Sequence, residues 1–398
     1  MVSSATLWNR RGLPRLGTAM ATAPLALQGL GGGDGDLAQA ARAENVTTEP
    51  RAAPRRRQES PAMRIVGVEE HFVFSDLLAR VASGALERNG WPTPGTAGFA
   101  GINPPALSDT GEDRVAAMDA AGISMQVLSV PGPGAELVAG ADGVALAREY
   151  NDRLARLISA EPERFAGFAH LPMTSPAAAA DELERAVRDL RLKGALINGA
   201  IDGKFLDQPE FEPVLARAER LGAPLYIHPG VPPQSVRAAY YDGLPGEASF
   251  LLSIAGWGWH AETAVHILRL ALSGALDRHP RLKLLIGHMG EGLPTMMERV
   301  DRVFSRYSGA CLGRSAARAI LDQVWVSTSG FTSAAAFLAT LTTFGADRIL
   351  FSVDYPFGDN KAAVDFLTAL PLSPADRQKI AHANADALLG LAPAVVAK

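Results

Sequence analysis

Residues 66–72 read VGVEEHF, a short run of β-forming residues that ends in a carboxylate and an imidazole. On a strand, side chains two positions apart point the same way, so Glu69 and His71 would face one side together. Carboxylate oxygens and imidazole nitrogens are both common metal ligands. The stretch therefore predicts a strand whose end offers two ligands to one metal ion.

Three later apolar runs also finish on a polar residue. PLYIH ends at His228, LKLLIGH ends at His288 and RILFSVD ends at Asp354. In barrels of parallel strands, the carboxyl ends of the strands meet around one mouth, where the active site lies. We therefore expect Glu69 and His71 to share a site with these three residues.

Short β-type runs alternate with longer amphipathic segments from about residue 63 onward, as in parallel βα units. One amphipathic segment is DELERAVRDL, whose apolar residues recur at helical spacing. Eight such units close a barrel, so the sequence predicts an α/β fold, a (β/α)8 TIM barrel. The predicted strands cover residues 64–69, 123–130, 165–171, 194–198, 224–228, 282–288, 324–329 and 349–354.

Two predicted connections are too long to be simple turns. They follow the first and fifth strands and cover about 72–112 and 229–261. Loops of this length in a compact domain usually form lids or binding segments. The second connection carries aromatic residues that could wall a pocket for a flat apolar ligand, although packing or a subunit interface would explain them equally well. These residues are Tyr240, Tyr241, Phe250, Trp257 and Trp259.

The N-terminal part of the chain differs in composition from the rest. An Arg-Arg pair, an Ala-, Leu- and Gly-rich stretch and an Ala-Gln-Ala triplet follow one another, which is the order of a twin-arginine-type signal peptide. We therefore expect a leader over residues 1–40 and a periplasmic or exported protein; a cytoplasmic protein with an N-terminal extension is the alternative. The apolar stretch is too short for a transmembrane anchor. Residues 41–62 are predicted to be a disordered linker and residues 63–398 the barrel.

Composition excludes several classes of protein and site. Hydrophobic residues make up 47% and charged residues 20% of the 398 residues, as in ordinary globular domains. The formal net charge of −4 gives no signature of nucleic-acid or anionic-membrane binding. Cys311 is the single cysteine, so an intrachain disulfide and a cysteine-based metal site are both excluded.

The sequence around His228 and Asp354 favours a metal site at the barrel mouth. His228 precedes a Pro-Gly pair, so its ring is expected over the mouth as a ligand. Asp354 either completes the metal shell or handles a proton, and the Pro that soon follows argues against a helix-capping role. Two imidazoles and two carboxylates form an oxygen-rich set that suits Mn²⁺ as well as Zn²⁺.

His288 and Glu291 stand in GHMGEGLP, a strand end followed by a Gly-rich turn and a helix start. A Glu three residues after a His can turn back and hold the imidazole, which fixes its tautomer. Glu291 could also serve the helix N-terminus electrostatically. We predict a catalytic role for both residues.

The remaining polar residues have weaker contexts. His170 ends the third predicted strand and is expected to line the pocket. Asn198 ends the fourth, where it would bond a substrate oxygen or cap the loop. That strand has no lysine at its end, which argues against a binuclear hydrolase built on a carbamylated lysine. The other histidines lie in helix or loop contexts and are predicted to be structural; they are His260, His266, His279 and His382.

Together these motifs resemble the amidohydrolase-2 group of metal-dependent decarboxylases related to aminocarboxymuconate semialdehyde decarboxylase. The muconate enzyme opens with a His-x-His pair, whereas an opening Glu-x-His pair resembles the branch that acts on hydroxylated benzoates, the gamma-resorcylate and 5-carboxyvanillate decarboxylases. The resemblance covers about residues 63–391. Its motifs are EEHF at 69–72, the stretch 194–229, LRL at 268–270, GHMGEGLP at 287–294, SVDYP at 352–356 and Asn-Ala at 384–385.

The resemblance implies a carboxy-lyase that removes CO₂ from a hydroxylated aromatic or related unsaturated carboxylic acid. It also implies one divalent ion, Mn²⁺ or Zn²⁺, without an organic cofactor, and a homodimer or homotetramer. The expected partner is a small aromatic carboxylate, not a nucleic acid or a membrane. The implied residues are Glu69, His71, His228 and Asp354 at the metal, Asp354, His288 and Glu291 in proton transfer, and Arg299 near the substrate carboxylate or a subunit boundary.

A metal-dependent hydrolase on the same barrel is the alternative. Asp354 would then deprotonate a water that attacks a lactone, ester or amide carbonyl. The barrel and its ligands suit both reactions, because the pocket decides the function. The Glu-x-His pair favours decarboxylation.

Overall fold

A computed structural model describes residues 63–306 and 313–391 of the chain. The predicted leader over 1–40, the predicted linker over 41–62 and Cys311 lie outside these residues. Within the described ranges, no helix is long and apolar enough to cross a membrane.

Parallel strands form the centre of the described structure. They occupy the eight runs that the sequence predicts, with the third run interrupted at Phe168 and thus divided into two strands. Most strands are shorter than the predicted runs, whereas β1 has the predicted length but begins and ends two residues later than predicted. The strands are β1 Val66–His71, β2 Met125–Ser129, β3 Phe165–Gly167, β4 Ala169–His170, β5 Ala195–Asn198, β6 Leu225–His228, β7 Leu284–Ile286, β8 Val324–Ser327 and β9 Ile349–Leu350.

The strands follow one another around a ring. Strands β1 to β3 pair in chain order, as do β4 to β9, and every pair is parallel. Backbone hydrogen bonds join the two sets: Lys193 N donates to Gly167 O at 2.8 Å, and Val68 N donates to Phe351 O at 3.2 Å. The first strand therefore meets the last run, and the predicted (β/α)8 barrel is confirmed.

Helices surround the strands and also build the two long connections. The α-helices are α1 Ser75–Leu78, α2 Ser83–Arg88, α3 Ala97–Ile102, α4 Glu112–Ala121, α5 Gly140–Ala160, α6 Pro176–Arg188, α7 Glu212–Leu221, α8 Gln234–Tyr240, α9 Ala248–Ser253, α10 Gly258–Leu272, α11 Ala275–Arg278, α12 Leu293–Phe304, α13 Ala316–Gln323, α14 Ala334–Phe344, α15 Asn360–Ala369, α16 Pro374–Gln378 and α17 Asn384–Leu389. Short 3₁₀ turns cover Pro105–Leu107, Ala135–Leu137, Pro209–Phe211, His288–Gly290 and Ala346–Arg348, and a wider π turn covers Lys379–Ala383.

The long connections contain short helices. Helices α1 to α3 follow β1, and helices α8 and α9 follow β6, the fifth of the predicted runs. Helix α16 begins after Ser373, whose hydroxyl caps the helix by accepting a hydrogen bond from Asp376 N at 3.1 Å.

An irregularity in β1 turns the polar end of the strand toward the barrel interior. Val68 packs in an interior cluster with Tyr226, and the Tyr226 hydroxyl also reaches the side chain of Glu69. Two consecutive residues can face the same group because the pairing of β1 with β2 shifts register between Gly67 and Glu70. An added Cβ at Gly67 would lie 2.2 Å from Glu70 Oε1, so only glycine fits there.

His266 on α10 gives the fold an expected sensitivity to acid. Its Nε2 accepts a hydrogen bond from Leu206 N at 3.0 Å, and burial lowers its pKa to about 3. The ordinary pKa of histidine is about 6.5, so below that pH His266 is protonated in the unfolded chain but stays neutral in the folded chain. Acid therefore stabilises the unfolded state relative to the folded state. We expect the metal-free protein to lose about 2 kcal/mol of unfolding free energy at this residue between pH 7 and pH 5.

Urea unfolding at both pH values tests this expectation against His266→Gln, whose amide oxygen can still accept from Leu206 N. The variant should lose about 2 kcal/mol less than the parent on acidification. An equal loss in the two proteins would contradict a role for His266.

Candidate metal centre and substrate cavity

Imidazole and carboxylate side chains converge at the mouth of the barrel. Glu69 Oε1 lies 3.8 Å from His71 Nε2 and 3.5 Å from His228 Nε2. Asp354 Oδ1 lies 3.2 Å from His71 Nε2. The structure therefore brings together the four residues that were predicted to hold one ion.

Two of these ligand atoms lack any other partner. Glu69 Oε1 and His71 Nε2 are buried and make no hydrogen bond within the described part of the chain. Leaving a buried polar atom unpaired costs roughly 1–3 kcal/mol. A divalent cation would satisfy both atoms, and two carboxylates with two imidazoles suit such an ion. The residues present therefore fit a metal.

Neighbouring side chains hold the far side of each imidazole. Ser129 Oγ lies 3.2 Å from His71 Nδ1, and Asn198 Oδ1 lies 3.0 Å from His228 Nδ1. Because an amide oxygen can only accept, His228 Nδ1 carries the proton and Nε2 keeps its lone pair for a cation. Partners of this kind orient metal ligands and fix their tautomers.

Glu69 is held in the same way on its second oxygen. The hydroxyls of Tyr226 and Ser327 both donate to Glu69 Oε2, the latter at 3.0 Å. Burial and the charge of Glu69 raise the pKa of Tyr226 well above its usual value, so Tyr226 remains a neutral donor. An added Cβ at Gly287 would lie 2.6 Å from Glu69 Oε2, so glycine makes room for this carboxylate.

Glu70 fixes the loop that presents Asp354. Its carboxylate accepts hydrogen bonds from Val353 N at 2.9 Å and Tyr355 N at 3.0 Å. Asp354 has a φ of 70°, which is rare outside glycine and is a form of backbone strain that clusters at functional sites. Burial raises the pKa of Glu70 to about 7. The residue between the two β1 ligands thus supports a third ligand from the last strand run.

The electrostatic environment favours the protonation states that a cation requires. Burial and the neighbouring imidazoles lower the pKa of His228 well below its usual value, which keeps the ring neutral. Burial opposes the ionisation of Asp354, but the neighbouring imidazoles of His288 and His71 hold its pKa well below the usual range. Metal binding needs a neutral imidazole and an ionised carboxylate, so both residues are ready to coordinate.

His288 faces the ligand cluster from a strained turn. Its Nε2 lies 3.7 Å from Glu69 Oε1 and 3.7 Å from Asp354 Oδ2. Its Nδ1 lies 2.8 Å from Glu291 Oε1, which is the contact that the spacing of the two residues suggested. Burial disfavours a charged ring, but Glu291 and Glu69 raise the pKa of His288 well above its usual value. The turn gives both His288 and Glu291 a positive φ.

His260 differs from its predicted role as a structural histidine. Its Nδ1 lies 2.6 Å from Glu291 Oε2, and its ring centre lies 4.7 Å from that of His288. It lies in the first turn of α10, inside the predicted second connection, where only the aromatic residues were expected at the pocket. No period or motif places this residue beside the end of a distant strand.

A cavity of about 260 Å³ opens onto these residues. Both long connections wall it, as predicted, and two of the five predicted aromatic residues, Phe250 and Trp259, contribute. Tyr240 and Trp257 are instead 76% and 59% exposed, while Tyr241 is buried away from the cavity. The lining residues are His71, Trp91, Ala97, Gly98, Gly101, Ile102, Pro131, Gly132, His228, Glu247, Phe250, Leu251, Ile254, Ala255, Trp259, His288, Asp354 and Phe357.

Comparison with known proteins identifies the family of this chain. The sequence profile of the amidohydrolase family matches residues 102–391, most of the barrel. The chain belongs to the amidohydrolase family. Gamma-resorcylate decarboxylase from Rhizobium sp. (strain MTP-10005) is 37% identical over 344 residues, which cover 82% of this chain and 98% of the relative.

Two solved structures are similar to this amidohydrolase over most of the barrel. The 5-carboxyvanillate decarboxylase from Sphingomonas paucimobilis has 31% sequence identity and a TM-score of 0.75. The match covers 83% of this chain and 100% of that one. A dihydroxybenzoic acid decarboxylase from Polaromonas sp. JS666, with bound manganese and 2-nitroresorcinol, has 33% identity and a TM-score of 0.74, covering 83% of this chain and 98% of that one. These likenesses confirm the resemblance to the branch of hydroxybenzoate decarboxylases.

The residues predicted to contact substrate occupy other places in this amidohydrolase. Asn198 orients His228, and its Nδ2 donates to Val130 O at 3.2 Å. His170 does not line the cavity, because its Nε2 accepts a hydrogen bond from Ala135 N at 2.8 Å. Arg299 is exposed on α12, which turns Met297 and Val300 inward instead. Among the described residues, neither His170 nor Arg299 lines the cavity, and their predicted contact with substrate stays a prediction.

Asn198 is expected to control metal affinity. Asn198→Leu removes the acceptor that fixes the His228 tautomer, so we expect the affinity for Mn²⁺ to fall roughly 10- to 100-fold. Asn198→Asp keeps an acceptor at the same place, and its affinity should stay within about threefold of the parent, a smaller change than that range. Titration against a competing chelator measures both constants, and equal affinities of the parent and Asn198→Leu would contradict this role.

Proposed function

We propose that this amidohydrolase is a metal-dependent, non-oxidative decarboxylase of a hydroxylated aromatic acid. The observation that carries the proposal is the convergence of the Glu69–His71 pair, His228, Asp354 and His288 on one apolar cavity. The similarity to decarboxylases of gamma-resorcylate and 5-carboxyvanillate supports the same reaction.

The cavity supports a single aromatic ring as the substrate. An apolar cavity of about 150 Å³ is large enough for benzene, so about 260 Å³ leaves room for ring substituents. Trp91, Phe250 and Trp259 offer flat apolar surface to the ring. Among the described residues that line the cavity, none is Lys or Arg. The carboxylate and an adjacent hydroxyl group would therefore bind at the metal end.

Manganese is the proposed ion, with zinc as the alternative. The Polaromonas relative was solved with manganese, and the four proposed ligands here offer two carboxylates and two imidazoles. When bound, the divalent ion supplies Lewis-acid stabilisation for negative charge on the substrate oxygens. We propose no organic cofactor, since decarboxylation of a hydroxylated ring needs only a proton donor and that stabilisation.

The residues of the chain supply the proton that the reaction consumes. His288 Nε2 lies 3.7 Å from Asp354 Oδ2, so a small movement would let a proton pass from His288 to Asp354. Asp354 then protonates the ring carbon that bears the carboxylate. The bond to the carboxylate breaks, its electron pair restores the aromatic ring and CO₂ leaves. One proton is consumed for each CO₂ released, and general acid catalysis of this kind contributes about 10²- to 10⁴-fold.

Release of CO₂ by the full-length protein, loaded with Mn²⁺ or Zn²⁺, tests the proposal. The panel should contain hydroxybenzoates with and without a hydroxyl group beside the carboxylate. We expect release only from the ortho-hydroxylated acids. A folded, metal-replete protein that releases no CO₂ but hydrolyses lactones, esters or amides would overturn the proposal in favour of the hydrolase alternative.

Cellular location and assembly are further parts of the proposal. We propose export because the sequence of residues 1–40 has the pattern of a twin-arginine-type leader. The N-terminal residue of the protein from its own cells tests this, because an intact Met1 or Val2 would contradict cleavage.

We also propose a dimer or tetramer with Arg299 near a subunit boundary. Light scattering measures the oligomeric state, and crosslinking tests the position of Arg299.

A further inference from the structure

The Glu291 carboxylate lies between two imidazoles. Its Oε1 lies 2.8 Å from His288 Nδ1 and its Oε2 lies 2.6 Å from His260 Nδ1. The Glu291 side chain is fully buried, whereas that of His260 is 15% exposed. Each carboxylate oxygen therefore has one imidazole partner, and no water-exposed surface offers a substitute.

Both ring nitrogens of His260 face acceptors. Nδ1 faces the Glu291 carboxylate, and Nε2 lies 3.1 Å from the carbonyl oxygen of Ala255. A carboxylate oxygen can only accept, so the contact with Glu291 places a proton on His260 Nδ1. His260 is thus tied at both ends and gives Glu291 a fixed, charge-assisted hydrogen bond.

The turn sets the backbone conformation of Glu291, so only the torsions of its side chain are left for hydrogen bonds to fix. Glu291 has a φ of 56° in the turn that connects β7 with α12. Without the His260 bond, Oε2 would be buried without a partner, and the carboxylate would gain by rotating toward another donor. That rotation would release His288 Nδ1 and let the His288 ring turn away from Asp354.

His260 itself does not reach the substrate. It lines a separate groove beside Trp257, Met296 and Phe331 and is absent from the lining of the substrate cavity, whereas His288 borders both spaces. Any effect of His260 on the reaction must therefore pass through Glu291 and His288.

We propose that His260 is a positioning residue that locks Glu291, and through it His288, in the orientation needed for proton transfer. This role rests on the proposed decarboxylase function. It adds a third residue, from the helix after the long second connection, to the His288–Glu291 pair.

Two variants of nearly equal shape test the hydrogen bond. His260→Asn places an amide nitrogen near the position of Nδ1 and can still donate to Glu291, whereas His260→Leu has the same branching and no donor. We expect His260→Leu to lower kcat for CO₂ release about 10- to 100-fold with KM within a factor of about 3, as for partners of functional side chains elsewhere. His260→Asn should keep kcat within about fivefold of the parent, below that range.

Metal content and the thermal midpoint serve as controls and should match in the two variants. Equal kcat in His260→Leu and the parent would overturn the proposal. An equal loss of kcat in His260→Leu and His260→Asn would also overturn it, because it would indicate that the ring acts by packing on His288. A rise in KM with unchanged kcat would also overturn it, since that would indicate contact with substrate.

A measurement without turnover separates this proposal from the proposed function. With diamagnetic Zn²⁺ in place of Mn²⁺, the His288 Nδ1 proton, bound to a carboxylate, should give a downfield proton NMR signal in the parent and in His260→Asn. His260→Leu should lose or shift that signal. If the parent releases no CO₂, the decarboxylase proposal fails, and the NMR comparison still decides the positioning role: a signal unchanged in His260→Leu overturns it.

Discussion

Asp354→Asn is expected to lower kcat for CO₂ release by about 10²- to 10⁴-fold, the usual contribution of a positioned general acid. The substitution keeps the shape of the side chain but removes its ability to take a proton from His288 and deliver it. It also weakens the contact with His71 Nε2, which lies 3.2 Å from Asp354 Oδ1. The measurement is the single-turnover rate with a substrate that the parent decarboxylates.

Metal content must be measured beside the rate, because Asp354 is both a proposed ligand and the proposed acid. The matched control is Asp359→Asn, since the Asp359 side chain only accepts a hydrogen bond from Ala362 N at the start of α15. Asparagine caps helices about as well as aspartate, so this control should behave as the parent. A metal-replete Asp354→Asn protein with more than a tenth of the parent rate would contradict the assigned role.

The ligand cluster could be predicted from the sequence because strands have a simple period. Glu69 and His71 are two residues apart on β1, and His228 is the last residue of β6. Strand ends of a parallel barrel gather at one mouth whatever their separation along the chain. The approach of His228 Nε2 to Glu69 Oε1 follows from these two rules alone.

The partners behind the ligands could not be predicted in the same way. Tyr226 reads as an ordinary apolar strand residue, and Ser327 ends a strand that carries no ligand. Their contact with Glu69 depends on the register shift in β1, which a period-2 pattern does not contain. The position of His260 beside Glu291 depends on how α10 packs, and that packing is decided by the whole tertiary structure.

The substrate residues show a further limit of sequence reasoning. A polar residue at a strand end has several neighbours that could satisfy it, and burial decides among them. The nearest donor to His170 is the backbone nitrogen of Ala135, and the nearest acceptor for Asn198 Nδ2 is the Val130 carbonyl. Both side chains therefore contribute to the framework of the site, an outcome that the spacing of residues along the chain cannot distinguish from substrate binding.

His71→Ala is expected to remove the metal and, with it, all CO₂ release above background. Loss of a partner behind a ligand already weakens metal binding roughly 10- to 100-fold, and loss of the ligand itself should cost more. The reason lies in the geometry, since His71 Nε2 approaches both Glu69 Oε1 and Asp354 Oδ1, at 3.8 and 3.2 Å. The remaining carboxylates would then face each other without an imidazole between them.

Elemental analysis after gel filtration measures this loss directly, and we expect one ion per chain in the parent and none in His71→Ala. His382→Ala is the control, because His382 bonds Asp386 at 2.8 Å far along the chain from the ligands and should leave the metal in place. Retention of a full metal complement by His71→Ala would show that the ion binds elsewhere. The His260, His288 and Glu291 side chains, whose ligand atoms also lie within 4.8 Å of one another, would then be the first alternative to examine.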